Sequence, residues 1–386
     1  MTNHYLTLNS PHQLKKEIVV SISLQTISSL AYKYSLEPQD AAERIASFFV
    51  SMGCDRVYDI NLARHLALIE SYREFKSHRK SKPNIPLISS VCPGWICYAE
   101  KTNGELIIPH LSKVRSPQQI MGALVKQAAV KKDKKESDVY HVTLMPCFDK
   151  KLEASRQEFK SGDERGSDVD CVLTPVELEE ILNDEGVTLL DFERRKLDIL
   201  VETGLPFDNP LSSHFGSVSG GYAENILMAY LAKDSDIIGT NNLQYTIQRN
   251  SDFIELTFDE GHVSGDSSLP VRFAIINGFR NIQTVVQRLK RKALKYDYIE
   301  IMACPNGCIN GGAQCRPIQE QDNQSHARSV QEVYKQIPSV DLSMNSDDVN
   351  IKLYEKLELK DQRQLNRTVY TSFRPVPKLQ NVTVNW

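Results

Sequence analysis

Four of the eight cysteines lie where the sequence pattern could bring their thiols together. Cys92, Cys147 and Cys304 each follow a short apolar run typical of a buried strand, and each has a proline beside it, in "VCPGW", "MPCFDK" and "ACPNGC". Cys308 comes four residues after Cys304, in a turn that contains glycine. Ligands of parallel α/β sheets sit outside the carboxyl ends of the strands. We therefore expect these four thiols to converge on one site.

A site of four thiols has several possible chemistries. Four thiolates from separate strand ends suit zinc or an iron–sulfur cluster. Structural zinc usually takes two C-x2-C pairs, whereas the spacings here are 55, 157 and 4 residues, with one close pair. Glycines and prolines at the cysteines let backbone N–H groups approach the sulfur atoms. The pattern favours an iron–sulfur cluster, with zinc, a redox pair and plain packing as the alternatives.

The composition of the chain disfavours several other classes of protein. With 386 residues, 41% hydrophobic and 25% charged, the chain is long enough for two or three cores. A net charge of −3 gives no basic footprint for nucleic acid. No apolar run reaches the ~18 residues of a membrane span, and the start "MTNHYLTLNSPHQLKK" does not resemble a secretory signal. The cysteines are therefore expected to stay reduced.

Short apolar runs alternate with amphipathic stretches along the chain, which predicts βαβ units and parallel sheets. The predicted strands are 17–23, 55–60, 84–90, 140–145, 170–174, 272–278 and 298–302. The predicted helices are 37–53, 61–75, 116–132, 175–186 and 280–295. The clearest helix start combines Thr174 as N-cap, Pro175 in the first turn and Glu177 at the third position.

Three motifs, in this order, resemble the signature of iron-only hydrogenases. They are "SSVCPGW" (89–95), "MPCFDKKLE" (145–153) and "EIMACPNGCINGGAQ" (300–314). The blocks "SVSGGYAENIL" (217–227) and "VDCVLTPVEL" (169–178) are also similar, so the resemblance covers roughly residues 15–370. "CPGWICYAEKT" and "MPCFDKKLEASR" look closer to a eukaryotic branch of this hydrogenase-like family. That branch contains the cytosolic iron–sulfur assembly factors, also described as nuclear prelamin A recognition factor-like proteins.

The resemblance implies an α/β fold with two lobes, in which parallel sheets are flanked by helices, plus a small C-terminal helical piece. The large-subunit-like domain, with both lobes, is expected to span 13–316 and a linker 317–329. A small-subunit-like helical segment is expected over 330–375 and a C-terminal tail over 376–386.

The resemblance also implies a cofactor. The implied ligands of one 4Fe–4S cluster are Cys92, Cys147, Cys304 and Cys308. Lys150 and Trp95 would lie beside the cluster, and the remaining cysteines are expected to pack in the core. Family members usually carry a second cluster in an N-terminal cysteine-rich segment. No cysteine precedes Cys54 in this sequence, so one cluster is expected here.

One departure from the hydrogenase pattern concerns catalysis. Hydrogenases have two adjacent cysteines in the first motif, and the first of them carries protons to the active centre. Val91 stands at that position here, and valine has no exchangeable proton. Lys150 stands at the position where hydrogenases use a lysine to hold their diiron subsite. A cation beside a negatively charged cluster also has an electrostatic use of its own. We therefore expect no enzymatic activity.

The implied function is a component of cytosolic iron–sulfur protein assembly that links early scaffolds to a targeting complex. The implied partners are that complex, with its WD40-propeller protein and associated subunits, and upstream scaffold NTPases, but no nucleic acid and no membrane. The C-terminal Trp386 resembles the aromatic residue with which the family docks. The expected location is the cytoplasm, with the nucleus as a second location. The alternatives are a nuclear prelamin-binding protein and a true iron-only hydrogenase.

Overall fold

The computed structural model describes residues 16–83, 85–131, 133–161, 166–203, 211–217, 220–233, 243–258, 270–317, 322–340 and 347–376. The strands are β1 (Glu17–Ile22), β2 (Arg56–Asp59), β3 (Leu87–Ser89), β4 (Val139–Leu144), β5 (Lys160–Ser161), β6 (Gly166–Ser167), β7 (Cys171–Leu173), β8 (Ser213–His214), β9 (Leu243–Ile247), β10 (Phe253–Phe258), β11 (Val271–Asn277), β12 (Tyr298–Met302) and β13 (Ser339–Val340). The α-helices are α1 (Leu24–Tyr34), α2 (Pro38–Ser51), α3 (Asn61–Ser81), α4 (Pro93–Ile107), α5 (Pro117–Val130), α6 (Asp149–Ala154), α7 (Pro175–Asp184), α8 (Tyr222–Lys233), α9 (Phe279–Lys290), α10 (Asn323–Lys335), α11 (Asp347–Lys356) and α12 (Gln362–Val369). None of the helices in these ranges is long and apolar enough to cross a membrane.

The first lobe contains a four-stranded parallel sheet in the order β2-β1-β4-β7. Alternate residues of β1 face opposite sides, so Ile18 and Val20 belong to one hydrophobic core and Val19 to another. Both faces of the sheet are therefore covered, as parallel sheets require. This explains why Ile18, Val19 and Val20 of β1 are consecutive apolar residues.

The second lobe contains a five-stranded sheet in the order β3-β12-β11-β10-β9. The strands β3, β12 and β11 are parallel, as predicted. The hairpin of β9 and β10 is antiparallel, which the alternation of strands and helices did not predict. Only residues 248–252 separate its two strands, and a loop this short joins antiparallel neighbours because a parallel pair needs a long crossover.

The predicted strands and helices are all present, with ends that shift by a few residues. The predicted start of α7 is confirmed, because the Thr174 side chain accepts a hydrogen bond from the N–H of Glu177. In return, the Thr174 N–H donates to the Glu177 carboxylate at 3.1 Å, which completes a capping box.

The predicted linker 317–329 is wrong over its second half, because α10 begins at Asn323. Asp322 caps this helix by accepting from two backbone N–H groups. His326 is buried with its ring edge-on to Tyr32, and it bonds the Cys315 carbonyl at 3.1 Å. The sequence of α10 is mostly polar and did not predict a helix. Which side of α10 is buried depends on its packing against the first lobe.

One buried carboxylate of the main body holds two tyrosines of the C-terminal segment. Glu70 of α3 is 2% exposed and accepts hydrogen bonds from the hydroxyl groups of Tyr354 and Tyr370. Arg73 adds an ion pair to Glu70 at 2.7 Å, and its guanidinium lies over the Tyr354 ring. Residues that are far apart in sequence therefore share one acceptor.

We expect Glu70→Ala to destabilise the protein by about 3 kcal/mol, because two buried hydroxyl groups and a guanidinium lose their partner at once. The loss should concentrate in the C-terminal segment, which would exchange its amide hydrogens faster than the first sheet. Urea unfolding and hydrogen exchange measure the two effects. Tyr370→Phe is the milder control, at about 1 kcal/mol, because it removes a single hydrogen bond.

Candidate metal centre

The carboxyl ends of three parallel strands carry three of the predicted cysteines. In the second lobe, Cys92 follows β3 by three residues and Cys304 follows β12 by two, and these strands are neighbours. In the first lobe, Cys147 follows β4 by three residues. The thiols therefore come from both lobes.

Ser90 connects the two strand ends of the second lobe. Its hydroxyl donates to the carbonyl of Ile301 in β12 at 2.6 Å and accepts from the N–H of Cys92 at 3.1 Å. Cys92 is also the N-cap residue of α4, which begins with Pro93. The position of this thiol is thus determined by a strand end, a helix start and a hydroxyl bridge.

A tight turn brings Cys308 back towards Cys304. The N–H of Gly307 donates to the Cys304 carbonyl at 3.0 Å. Asn306 and Gly307 both have left-handed backbone angles, with φ of 59° and 71°. Asparagine and glycine are the residues that adopt this conformation at least cost. The sequence between the two cysteines therefore matches the turn that it forms.

The loop after Cys308 crosses from the second lobe to the first. Its Ala313 N–H donates to the Pro146 carbonyl at 3.2 Å, next to Cys147. A Cβ atom on Gly311 would clash with the same carbonyl oxygen. The Gln314 side chain donates to the carbonyl of Gln25 in α1 at 2.9 Å. The two cysteine-bearing loops therefore touch, backbone against backbone.

The four thiols lie close enough to influence one another. Burial raises the pKa of Cys308 well above its usual value, and the neighbouring Cys92, Cys147 and Cys304 raise it further. Burial raises the pKa of Cys147 to about 12 and that of Cys304 to about 11, and Cys92 adds to both. Protein groups alone would leave these thiols protonated at neutral pH.

Backbone N–H groups hydrogen-bond three of the sulfur atoms, and that of Lys150 opposes the rise in the pKa of Cys147. The pKa of Cys92 is raised by burial, but the N–H groups of Trp95, Ala303 and Gly94 oppose the rise by hydrogen bonding to the thiolate. The N–H of Gly312 has the same effect on the pKa of Cys304. These N–H groups lie at the starts of α4 and α6 and in the loops, where an anionic sulfur is stabilised.

Lys150 places a buried cation beside the thiols. Its ammonium donates to the Val91 carbonyl at 2.9 Å and pairs with Glu153 at 2.7 Å. Burial lowers the pKa of Lys150, but Glu153, Cys147 and Cys308 outweigh burial and leave the pKa raised. Glu153 was not predicted as part of the site. The sequence feature that could have identified Glu153 is its spacing of three residues from Lys150, which puts both side chains on one face of α6.

The other residues predicted from the sequence contribute less directly to the site of the four thiols. Trp95 is fully buried in α4, where its ring stacks on Tyr98 at 5.9 Å, and its indole N–H has no acceptor within the described part of the chain. Cys54, Cys171 and Cys315 are buried and free, as expected for core cysteines, whereas Cys97 is half-buried. Trp386 lies outside the described residues.

Over the ranges that the structure covers, no group of three or more His, Cys, Asp or Glu side chains is arranged to hold a metal ion. The site is therefore defined by the electrostatic coupling of the four thiols and not by a preformed set of metal ligands.

Comparisons with known proteins agree with the motifs. The family model described as "Iron only hydrogenase large subunit, C-terminal domain" matches residues 16–312. The chain is 39% identical to the cytosolic Fe-S cluster assembly factor narfl of Danio rerio, over 96% of this chain and 90% of that protein. It is 40% identical to a probable cytosolic Fe-S cluster assembly factor of Drosophila grimshawi, over 100% of this chain and 80% of the relative.

The chain belongs to the hydrogenase-like family of cytosolic Fe–S cluster assembly factors. Its fold is that of [FeFe]-hydrogenases, as the resemblance implied. An apo [FeFe]-hydrogenase from Chlamydomonas reinhardtii superposes with a TM-score of 0.80 over 97% of this chain and 98% of that chain, at 23% identity. The two lobes and their parallel strands are thus a property of the whole fold class.

Two adjacent glycines provide a matched test of the contact between the lobes. Gly311→Ala should destabilise the protein by about 2 kcal/mol, because its Cβ would meet a backbone carbonyl that cannot move alone. Gly312→Ala should be nearly neutral, because its Cβ would meet no atom within 4 Å. Urea denaturation of both variants measures the difference. Equal stabilities would contradict the tight contact at Pro146.

Proposed function

We propose that this protein is a non-enzymatic component of cytosolic iron–sulfur protein assembly that holds one 4Fe–4S cluster. The proposed ligands are Cys92, Cys147, Cys304 and Cys308. The observation that carries the proposal is the convergence of four electrostatically coupled thiols from three strand ends in two lobes. Relatives that match over 80% and 90% of their own length are named cytosolic Fe-S cluster assembly factors, which supports this role.

The residues at the site fit an iron–sulfur cluster. All four pKa values are raised, primarily by burial, so metal binding would have to displace protons from the thiols and would couple to folding. Met302, with its sulfur 3.8 Å from that of Cys308, supplies an apolar wall.

Lys150 and backbone N–H groups would offset the charge of the bound cluster. Four thiolates bring more negative charge than the iron and sulfide core neutralises, and a buried cation stabilises such a group. When bound, a cluster supplies a one-electron redox centre, or iron and sulfide for transfer. The residues described here hold it, exclude water and stabilise its charge.

Hydrogen turnover is not part of the proposed function. Val91 has no proton to give, and its side chain packs against two hydrophobic cores. The ammonium of Lys150 is already hydrogen-bonded to the Val91 carbonyl and to Glu153. The lysine that hydrogenases direct to a diiron subsite is thus engaged by this protein's own groups.

The proposed partners are the scaffold NTPases upstream and the targeting complex, with its WD40-propeller protein, downstream. We propose that Trp386 docks on the targeting complex, in the cytosol. The N–H of Val376 donates to the Glu100 carbonyl of α4 at 3.0 Å, so the first residue of the predicted tail 376–386 contacts the helix that Cys92 caps.

Anaerobic reconstitution with iron and sulfide tests the cluster proposal. We expect about four irons and four sulfides per chain, with the EPR signal of a cubane cluster in the reduced protein. Cys308→Ala should lose most of the iron, because a ligand is missing and folding is coupled to metal binding. Cys97→Ala is the matched control, five residues beyond Cys92 in α4, and it should keep its iron. Full iron and sulfide in Cys308→Ala, or stoichiometric zinc without sulfide, would overturn the ligand assignment.

Deletion of Trp386 separates docking from cluster binding. The truncated protein should keep its iron and its stability, because Trp386 is not among the proposed cluster ligands. Client iron–sulfur enzymes in cells that carry only this variant should lose activity to the same extent as with Cys308→Ala. If clients retain full activity, the tail is not the docking element. A prelamin-binding protein would instead keep its affinity for lamin tails when the cysteines are replaced.

A further inference from the structure

A basic groove lies on the outer side of the second lobe, away from the thiols. Its volume is about 910 Å³, and its walls come from α4, α9 and the turn between β9 and β10. The cationic residues that line it are Arg249, Arg280, Arg288, Lys290 and Arg291. Within a chain of net charge −3, this is a marked local concentration of positive charge.

Two cations of the basic groove have polar partners that carry no charge, since Arg288 donates to the Tyr296 hydroxyl at 3.3 Å and Arg249 to the Thr284 hydroxyl at 3.4 Å. Within the described ranges, none of the five forms an ion pair with a carboxylate. Cations elsewhere on the surface commonly do, as in Lys33 with Glu179 and Arg195 with Asp198. Glu255 accepts from Tyr296 and Gln248 instead.

The shape of the groove is held by aromatic packing. Tyr98 forms part of its wall, stacks on the buried Trp95 at 5.9 Å and meets the Phe279 ring edge-on at 5.4 Å. Phe279 is the first residue of α9, so the two helices that form the walls are fixed relative to each other. A wall that is already ordered loses little conformational entropy when a ligand binds.

We propose that the basic groove binds an acidic segment of a partner protein, through carboxylates paired with Arg280, Arg288 and Arg291. A guanidinium accepts a carboxylate through two parallel hydrogen bonds, which suits an Asp- or Glu-rich peptide. The exposed amides of Gln283 and Gln287 also line the groove, and they can bond to the peptide backbone.

A nucleic acid fits the same surface less well. The chain as a whole is acidic, so its long-range field does not attract a polyanion. Single strands are usually held by aromatic rings on which bases stack. The one aromatic ring in the groove, Tyr98, is already packed against Trp95 and Phe279.

The acidic-segment proposal goes beyond the cluster function and does not depend on it. No cysteine lines the groove, so changes to its charges should leave the iron content unaltered. The test therefore uses the reconstituted full-length chain and a fluorescent oligo-glutamate peptide as the probe. Binding is measured by anisotropy at low ionic strength, with iron content determined for each variant.

The groove variant combines Arg280→Glu with Arg291→Glu, both at exposed positions near the ends of α9. The matched control combines Lys352→Glu with Arg363→Glu, two exposed cations on the C-terminal helices that change the net charge equally. We expect the groove variant to bind the peptide about tenfold or more weakly, and the control to bind within about twofold of the unaltered protein. Added salt should weaken binding to the unaltered protein.

Three results would overturn the proposal. The first is no binding of the peptide by the unaltered protein. The second is an equal loss in the groove variant and the control, which would mean attraction by net charge alone. The third is a single-stranded oligonucleotide that binds as tightly as the peptide and depends on the same two arginines, which would make the groove a nucleic-acid surface.

Discussion

The contact between the loops of Cys147 and Cys308 is the constraint on which the centre depends. Gly311 lies directly against the Pro146 carbonyl, and Ala313 donates a hydrogen bond to the same oxygen. Each sheet has one face in a hydrophobic core of its own, and the other faces of both sheets contribute to a shared core. A site with thiols from both sheets exists only where these backbones meet. Because no side chain separates the loops, a small change in the angle between the lobes would separate the thiols.

The electrostatics of the centre place a second constraint on the protein. Four thiols with raised pKa values and a buried ammonium form a region in which charge is costly without a counter-charge. The Glu153 carboxylate pairs with the ammonium of Lys150, and backbone N–H groups stabilise the thiolate form of Cys92. A multivalent cationic group bound there would convert the thiols into thiolates, and Lys150 and the backbone N–H groups would then stabilise the added negative charge. Metal binding would in this way be coupled to folding.

The sequence alone was enough to select most residues of the metal centre, but it predicted fewer of the helices and contacts around them. Strand ends, the prolines and the glycine turn were enough to group the four cysteines, because parallel strands present their carboxyl ends on one side. The helices α1 and α4 were harder to predict, since "LQTISSLAYKY" and "PGWICYAEKTNGELI" are rich in residues with weak helix propensity and form helices through burial. The start of α10 and the role of Glu70 depend on contacts between distant residues, which no local pattern contains.

The helix α4 connects features that the sequence presents separately. Its first turn holds Cys92 and the N–H groups that face the sulfur, and its middle carries Tyr98 in the wall of the basic groove. On another side of α4, the side chain of Glu100 accepts from the N–H of Arg374, and its carbonyl accepts from the N–H of Val376. Pro375 packs so tightly on Gly104 that a Cβ atom would not fit there. The backbone of α4 is non-helical at Asn103, so the helix is kinked between Glu100 and Gly104. Cys92, Tyr98 and Glu100 all precede this kink and therefore lie on one continuous stretch of helix.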